Sequence, residues 1–139
     1  MNSFSEALKS CDVVISSGGV SMGRFDYVRD VFIELGVEEH FWKVAQKPGK
    51  PLFFGSGNKT LIIGLPGNPV SSYIGFMVWV WPILNEMMGG NTLNPIQGEL
   101  TESFPVENIK YRYLFGKVWT ENGKVLCKPS KKIGSHMLT

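Results

Sequence analysis

The chain has 139 residues, 43% hydrophobic and 19% charged, a composition that suits a folded globular protein with one ordinary core or two small ones and excludes a disordered chain. Its 14 Lys+Arg against 12 Asp+Glu leave a formal charge of +2, too small to mark a nucleic-acid or anionic-membrane partner, so any basic site must be local. The two cysteines, Cys11 and Cys127, have no His or Cys at metal-ligand spacing; they read as packing thiols in a reducing, cytoplasmic setting, and zinc is not expected.

The N-terminus "MNSFSEALKS" lacks the basic start and apolar middle of a secretory signal. Ser3 with Glu6 has capping-box spacing, which predicts a short first helix. "DVVIS" reads as a buried strand running into "SSGGVSMGRFDY", where glycine, serine and charge leave a core nothing to hold. Val28, Val31, Phe32 and Leu35 then predict an amphipathic helix over 27–35, with Asp26 at its cap and Gly36 ending it. "HFWKVA" and "PLFFG" are strand-like runs separated by "QKPGK", and "SGNKT" is a turn before the strand "LIIGL". That strand also enters a glycine loop, "GLPGNPVSS", with Asn68 as N-cap and Pro69 at the first position of a helix.

"YIGFMVWVWPILNEMMGG" is short for a membrane span and contains Pro82, Asn85 and Glu86, so it predicts a buried helix. Apolar residues cover most of its circumference, with Trp79 and Trp81 on nearly opposite sides. One sheet cannot bury it all, and another subunit or domain is expected over the rest. At "MMGGNTLNP" the character changes to short strands, "IQGEL", "YRYLFGKVW" and "KVLCKP", with Asn122-Gly123 as a hairpin turn. The order predicts an α/β layer domain over 1–90 and a small β domain over 91–139.

Three polar loops draw the functional reading. In open α/β sheets ligands collect at the carboxyl ends of strands, where backbone N–H groups face a shared crevice. "SGGVSMG" brings Gly18, Gly19 and Gly23 for close backbone approach, with Ser17 and Ser21 as hydroxyl donors. "GLPGNPVSS" offers Gly64, Gly67 and Asn68, and sets Ser71 in the first helical turn. In "KVAQKPGKP", Lys43, Lys47 and Lys50 surround a stiff Pro-Gly turn that would hold ammonium groups in place for an oxyanion. Each has a plain alternative: a tight turn, a helix cap at Asp26, a solvated Lys-Pro-Gly-Lys turn. Spacing alone supports an anion-binding crevice.

"DVVISSGGVSMGRFDYV", "FWKVAQKPGKPLFFG" and "LIIGLPGNPVSSYIGF", in this order, resemble the molybdopterin molybdenumtransferases, which include the E domain of gephyrin. The resemblance runs through nearly the whole chain. It implies an incomplete molybdopterin-binding domain of three α/β/α layers followed by a small partial β-barrel-like domain. It also implies insertion of molybdenum into the dithiolene of molybdopterin, from adenylylated molybdopterin and molybdate, with Mg2+ and release of AMP.

Carried onto this chain, the resemblance gives catalytic roles to Asp26, Lys47 and Lys50, with Asp26 as a magnesium ligand near the pyrophosphate. Lys47, Lys50 and Ser71 match molybdate positions, Lys43 adds positive potential, and Arg112 of "KYRYLF" corresponds to an arginine of the same anion site. The remaining substrate-binding positions are Ser17, Gly18, Gly19, Ser21, Gly23, Pro66, Gly67, Asn68 and Pro69. A cytoplasmic homodimer acting on small molecules, with no nucleic-acid or membrane partner, is implied. The family's chains have several domains, so this one is expected to start inside the molybdopterin-binding domain, to stop within the β domain, and to be inactive or feebly active alone. The competing expectations are a non-catalytic anion- or nucleotide-binding module and a gephyrin-like scaffold.

Overall fold

The computed structural model describes residues 2–20, 27–91, 94–105 and 111–130. Helix α1 spans Asn2–Ser10, so Ser3 lies inside the first turn and not at the cap that its spacing with Glu6 suggested. Strand β1 (Val13–Ser17) follows, then α2 (Val28–Glu34). Tyr27 flanks the start of α2; the expected cap, Asp26, lies outside the described residues. The helix stops where predicted, because Gly36 N–H donates to Ile33 O at 2.9 Å and Val37 N–H to Phe32 O at 3.0 Å, the paired bonds of a Schellman end.

Next come β2 (Glu38–Trp42), β3 (Gln46–Lys47), β4 (Phe53–Gly57) and β5 (Thr60–Leu65). "HFWKVA" does not continue as one strand: β2 ends at Trp42 because Lys43 takes a left-handed φ of 82°. Strands β4 and β5 are joined by Asn58 and Lys59 with φ of 51° and 80°, the sense of twist that a two-residue hairpin needs.

The central sheet has the order β1-β5-β4-β2, with β1 and β5 parallel and the other pairs antiparallel. Both faces are covered, which explains why β5 carries a continuous apolar run. On one face Val14, Phe53 and Ile62 pack with Leu8 of α1, Val20 and Phe32 of α2; the Phe32 ring sits 4.8 Å from Phe4 and 5.7 Å from Phe53. On the other, Leu52, Ile63 and Leu65 pack with Val80, flanked by Phe41, Phe54, Phe76 and Trp79. The predicted α/β/α layering is present.

The long apolar segment is a run of three pieces: α3 (Pro69–Gly75), a π-helical turn (Phe76–Val80) and α4 (Trp81–Met87). The wide turn closes with Trp81 N–H donating to Phe76 O, directly before Pro82, which has no N–H to offer and would crowd a regular α-helix. As expected, one side stays uncovered: Tyr73, Met77 and Trp81 are exposed while Trp79 packs at 6.1 Å from Phe41. No helix among the described residues is long and apolar enough to cross a membrane.

Beyond this, β6 (Glu99–Leu100), β7 (Tyr111–Arg112), β8 (Gly116–Glu121) and β9 (Lys124–Pro129) complete the described strands. The expected strand "YRYLFGKVW" is divided, because β7 pairs with β3 and only β8 pairs with β9. Asn122 and Gly123 form the predicted hairpin turn with φ of 50° and 76°. The β6-β9-β8 sheet is open, and no closed barrel forms among the described residues. Cys11 is exposed and Cys127 half-buried, so Cys11 is not the packing thiol that composition suggested.

Both apolar clusters draw only on residues before 90. Residues 1–90 alone should therefore give a cooperative thermal transition by circular dichroism; a broad, non-cooperative melt would show that the β strands after residue 90 are needed for the core.

Candidate functional site

The parallel pairing of β1 with β5 delivers both glycine loops to one edge of the sheet. Gly18 N–H donates to Leu65 O at 2.9 Å. A Cβ on Gly67 would stand 3.5 Å from Gly18 Cα, so the two loops run close together with no side chain between them at this point. Ser17 Oγ lies 3.1 Å from Ser72 Oγ, which ties the end of β1 to α3. Gly19 O accepts from Val28 N–H at 3.1 Å, fastening the same loop to α2.

At the start of α3, Asn68 Oδ1 accepts from Ser71 N–H at 3.2 Å and from Ser71 Oγ at 3.4 Å, the predicted N-cap. Pro66 is buried, Gly67, Asn68 and Pro69 are exposed, and Ser71 is 9% exposed. Ser71 is thus nearly closed to solvent, its hydroxyl turned to Asn68.

The third loop closes where Lys43 N–H donates to Leu52 O at 3.0 Å and Val44 N–H to Lys50 O at 2.9 Å. Its tip holds a cis Lys47–Pro48 peptide and Gly49 at φ 87°. A Cβ on Gly49 would lie 2.9 Å from Gln46 Nε2 and 3.3 Å from Ser71 O. The turn therefore rests on the first turn of α3, and only glycine fits both the backbone angle and the space. Strands β3 and β7 pair Lys47 with Arg112, and residues paired in adjacent strands send their side chains to one side. Tyr113 N–H donates to Lys47 O at 2.9 Å. Burial, reinforced by Tyr111, raises the Tyr113 phenol above its ordinary pKa.

Lys47, Lys50, Gly67, Asn68, Ser71, Ser17, Gly18 and Arg112 are thus linked through a continuous chain of contacts at one edge of the sheet. Lys43 belongs to its flank: the ammonium stands 3.7 Å over the Trp42 ring, and Trp42 Nε1 donates to Val20 O at 2.8 Å, at the entry to the first loop. Arg29 lies 4.4 Å from the same ring and donates to Glu39 at 2.6 and 3.1 Å. That hydrogen bond raises the guanidinium pKa against the opposite pull of burial. Ser21, Gly23 and Asp26 lie outside the described residues.

Among the described residues, no three His, Cys, Asp or Glu side chains come together to hold a metal ion. The donors that line the loops are hydroxyls, backbone amides and ammonium groups, which suit an anion and not a hard cation. The described residues therefore do not make a magnesium cage by themselves.

Sequence reasoning missed Gln46, Trp79, Trp42 and Ser72. Gln46 is buried and bonded to both Trp79 and the Lys-Pro-Gly-Lys turn. No local pattern marks it, since its partner lies 33 residues away.

An α/β/α layer domain with polar loops gathered at one sheet edge is the class this geometry defines. The description of a probable molybdopterin binding domain matches residues 2–86, more than half of the chain, and the chain belongs to that family. A molybdopterin molybdenumtransferase of Bacillus subtilis is 37% identical over 126 residues, 89% of this chain and 29% of that protein. The protein of the same name from Synechocystis is 56% identical over 64 residues, 45% of this chain and 16% of its own. The crystal structure of a molybdopterin biosynthesis MoeA protein from Pyrococcus horikoshii is similar with a TM-score of 0.67 at 29% identity, covering 93% of this chain and 30% of that one. The chain thus spans less than a third of the length of these relatives.

Replacing Gly49 by Ala should destabilise the chain by about 1–3 kcal/mol, from the left-handed backbone and the crowded Cβ together. Urea denaturation measures this; a wild-type midpoint would mean that the turn does not rest on Ser71.

Proposed function

We propose that this chain serves molybdenum cofactor biosynthesis as part of a molybdopterin molybdenumtransferase. In the longer protein the reaction would insert molybdate into adenylylated molybdopterin and release AMP. The observation that carries the reading is the seating of the Lys47–Lys50 turn on the start of α3, beside the two neighbouring glycine loops. The kinship with molybdopterin molybdenumtransferases supports the choice of substrates.

In this reading Lys47 and Lys50 attract the molybdate dianion, with Arg112 paired to Lys47 across β3 and β7. Charged donors to an oxyanion make shorter and stronger hydrogen bonds than neutral ones. Ser17, Gly18, Gly19, Gly67 and Asn68 provide close backbone approach and hydroxyl or amide donors for the pyrophosphate and pterin substituents, with Pro66 and Pro69 stiffening the second loop. Ser71 acts mainly by holding Asn68 and the turn, since its hydroxyl faces the cap. Ser21 and Gly23 extend the first loop, and Lys43 adds positive potential at its entry. Magnesium is assigned to Asp26 with ligands from outside the described residues; bound there, it would neutralise phosphate charge.

Calorimetry with molybdate, tungstate, sulfate and AMP tests this against a general anion or nucleotide module. Preference for molybdate and tungstate is expected, and binding of AMP alone would overturn the reading. Because Lys50 is exposed, water screens its charge; Lys50→Ala should weaken molybdate about threefold to tenfold. Unchanged affinity would remove Lys50 from the site.

A homodimer in the cytoplasm completes the proposal. It is supported by the exposed Tyr73, Met77 and Trp81 on the outer side of the long helix, next to an apolar hollow of about 320 Å³ lined by Phe41, Phe54, Trp79 and Ile83. Size-exclusion chromatography with light scattering should give twice the chain mass, and Trp81→Glu should return it to the monomer; a monomeric wild type would refute the dimer.

A further inference from the structure

The side chain of Gln46 is 3% exposed, beside a turn whose lysines are exposed. A buried carboxamide is costly unless its donors and acceptor are all used. Here they are: Nε2 donates to Pro48 O and Gly49 O, both at 3.2 Å, and Oε1 accepts from Trp79 Nε1 at 2.8 Å. The orientation of the amide follows from chemistry, because an indole N–H only donates and a backbone carbonyl only accepts. Trp79 lies in the π-helical turn and packs against Phe41, so the indole is itself held between helix and sheet.

We propose that Gln46 is a positioning residue for the oxyanion site, and that Trp79 acts through it. The carboxamide grips the two carbonyls at the tip of the turn, while Ser71 O and the carboxamide nitrogen together fill the space beside the Gly49 Cα. With both carbonyls fixed, the backbone directions from which Lys47 and Lys50 leave the turn are fixed as well. The two ammonium groups then meet an anion without first ordering the loop, which preserves affinity that a loose turn would lose to entropy. This rests on the anion-binding reading of Lys47 and Lys50 given above.

The test uses the whole chain with molybdate as the probe, in Gln46→Leu, Trp79→Phe and the double variant. Gln46→Leu removes all three hydrogen bonds, and Trp79→Phe removes only the indole donor. Each should weaken molybdate binding about threefold to tenfold by calorimetry. The double variant should be no weaker than Gln46→Leu, because in this proposal Trp79 acts on the turn through the carboxamide. Amide exchange at Gly49 and Lys50 should speed up in both single variants, with exchange in β5 unchanged. Should Gln46→Leu fail to fold, Trp79→Phe alone decides, by its affinity and its exchange pattern. Wild-type binding that Lys50→Ala weakens but neither clamp variant changes would overturn the clamp and leave the anion site standing. Absence of molybdate binding in the wild-type chain would overturn both.

Discussion

The site depends on close packing of backbone at one point, the start of α3. Gly18 lies near Gly67 there, and Gly49 meets Ser71 O and Gln46 Nε2 at distances that leave no room for an added side chain. The glycines at these contacts bring no side chains of their own, and the loops are anchored beside them by apolar residues, Val20 in the first and Pro66 in the second, both buried. The geometry below does the rest: β1 and β5 are parallel neighbours whose ends release both loops at the same level, and the buried Gln46 amide anchors the third. The apolar core thus acts on the polar edge through strand register.

That core is built on two faces, which determines how the chain spends its hydrophobic residues. Consecutive residues such as Phe53 and Phe54, or Ile62 and Ile63, serve opposite layers. The long helix follows the same demand until Pro82 interrupts it. The π-helical turn before that proline directs Trp79 inward to Gln46, while Trp81 remains partly in solvent. One defect in the helix therefore supplies both the clamp of the lysine turn and part of the uncovered apolar side.

The electrostatics are local, as a net charge of +2 required. Lys47 and Arg112 come together by pairing of two short strands from distant parts of the chain. Lys43 and Arg29 share the Trp42 ring, whose π face attracts cations, and Glu39 balances Arg29. The positive groups of the flank are thus engaged by an aromatic ring and a carboxylate, which balances part of their charge.

Much of this was legible in the residues. The periodicity of Val28, Val31, Phe32 and Leu35, the Asn68-Pro69 cap and the Asn122-Gly123 turn all depend on neighbours within a few positions, and local sterics and hydrogen bonding decide them. The glycine loops were visible for the same reason, as was the resemblance that gave them chemistry; but the first loop does pack, since Val20 is fully buried in the core, where the residues suggested that nothing could be held. Pairing of β3 with β7, the division of "YRYLFGKVW", the wide turn before Pro82 and the burial of Gln46 were not visible. Each of these is settled by a partner far away in sequence, and only the folded chain brings the two together.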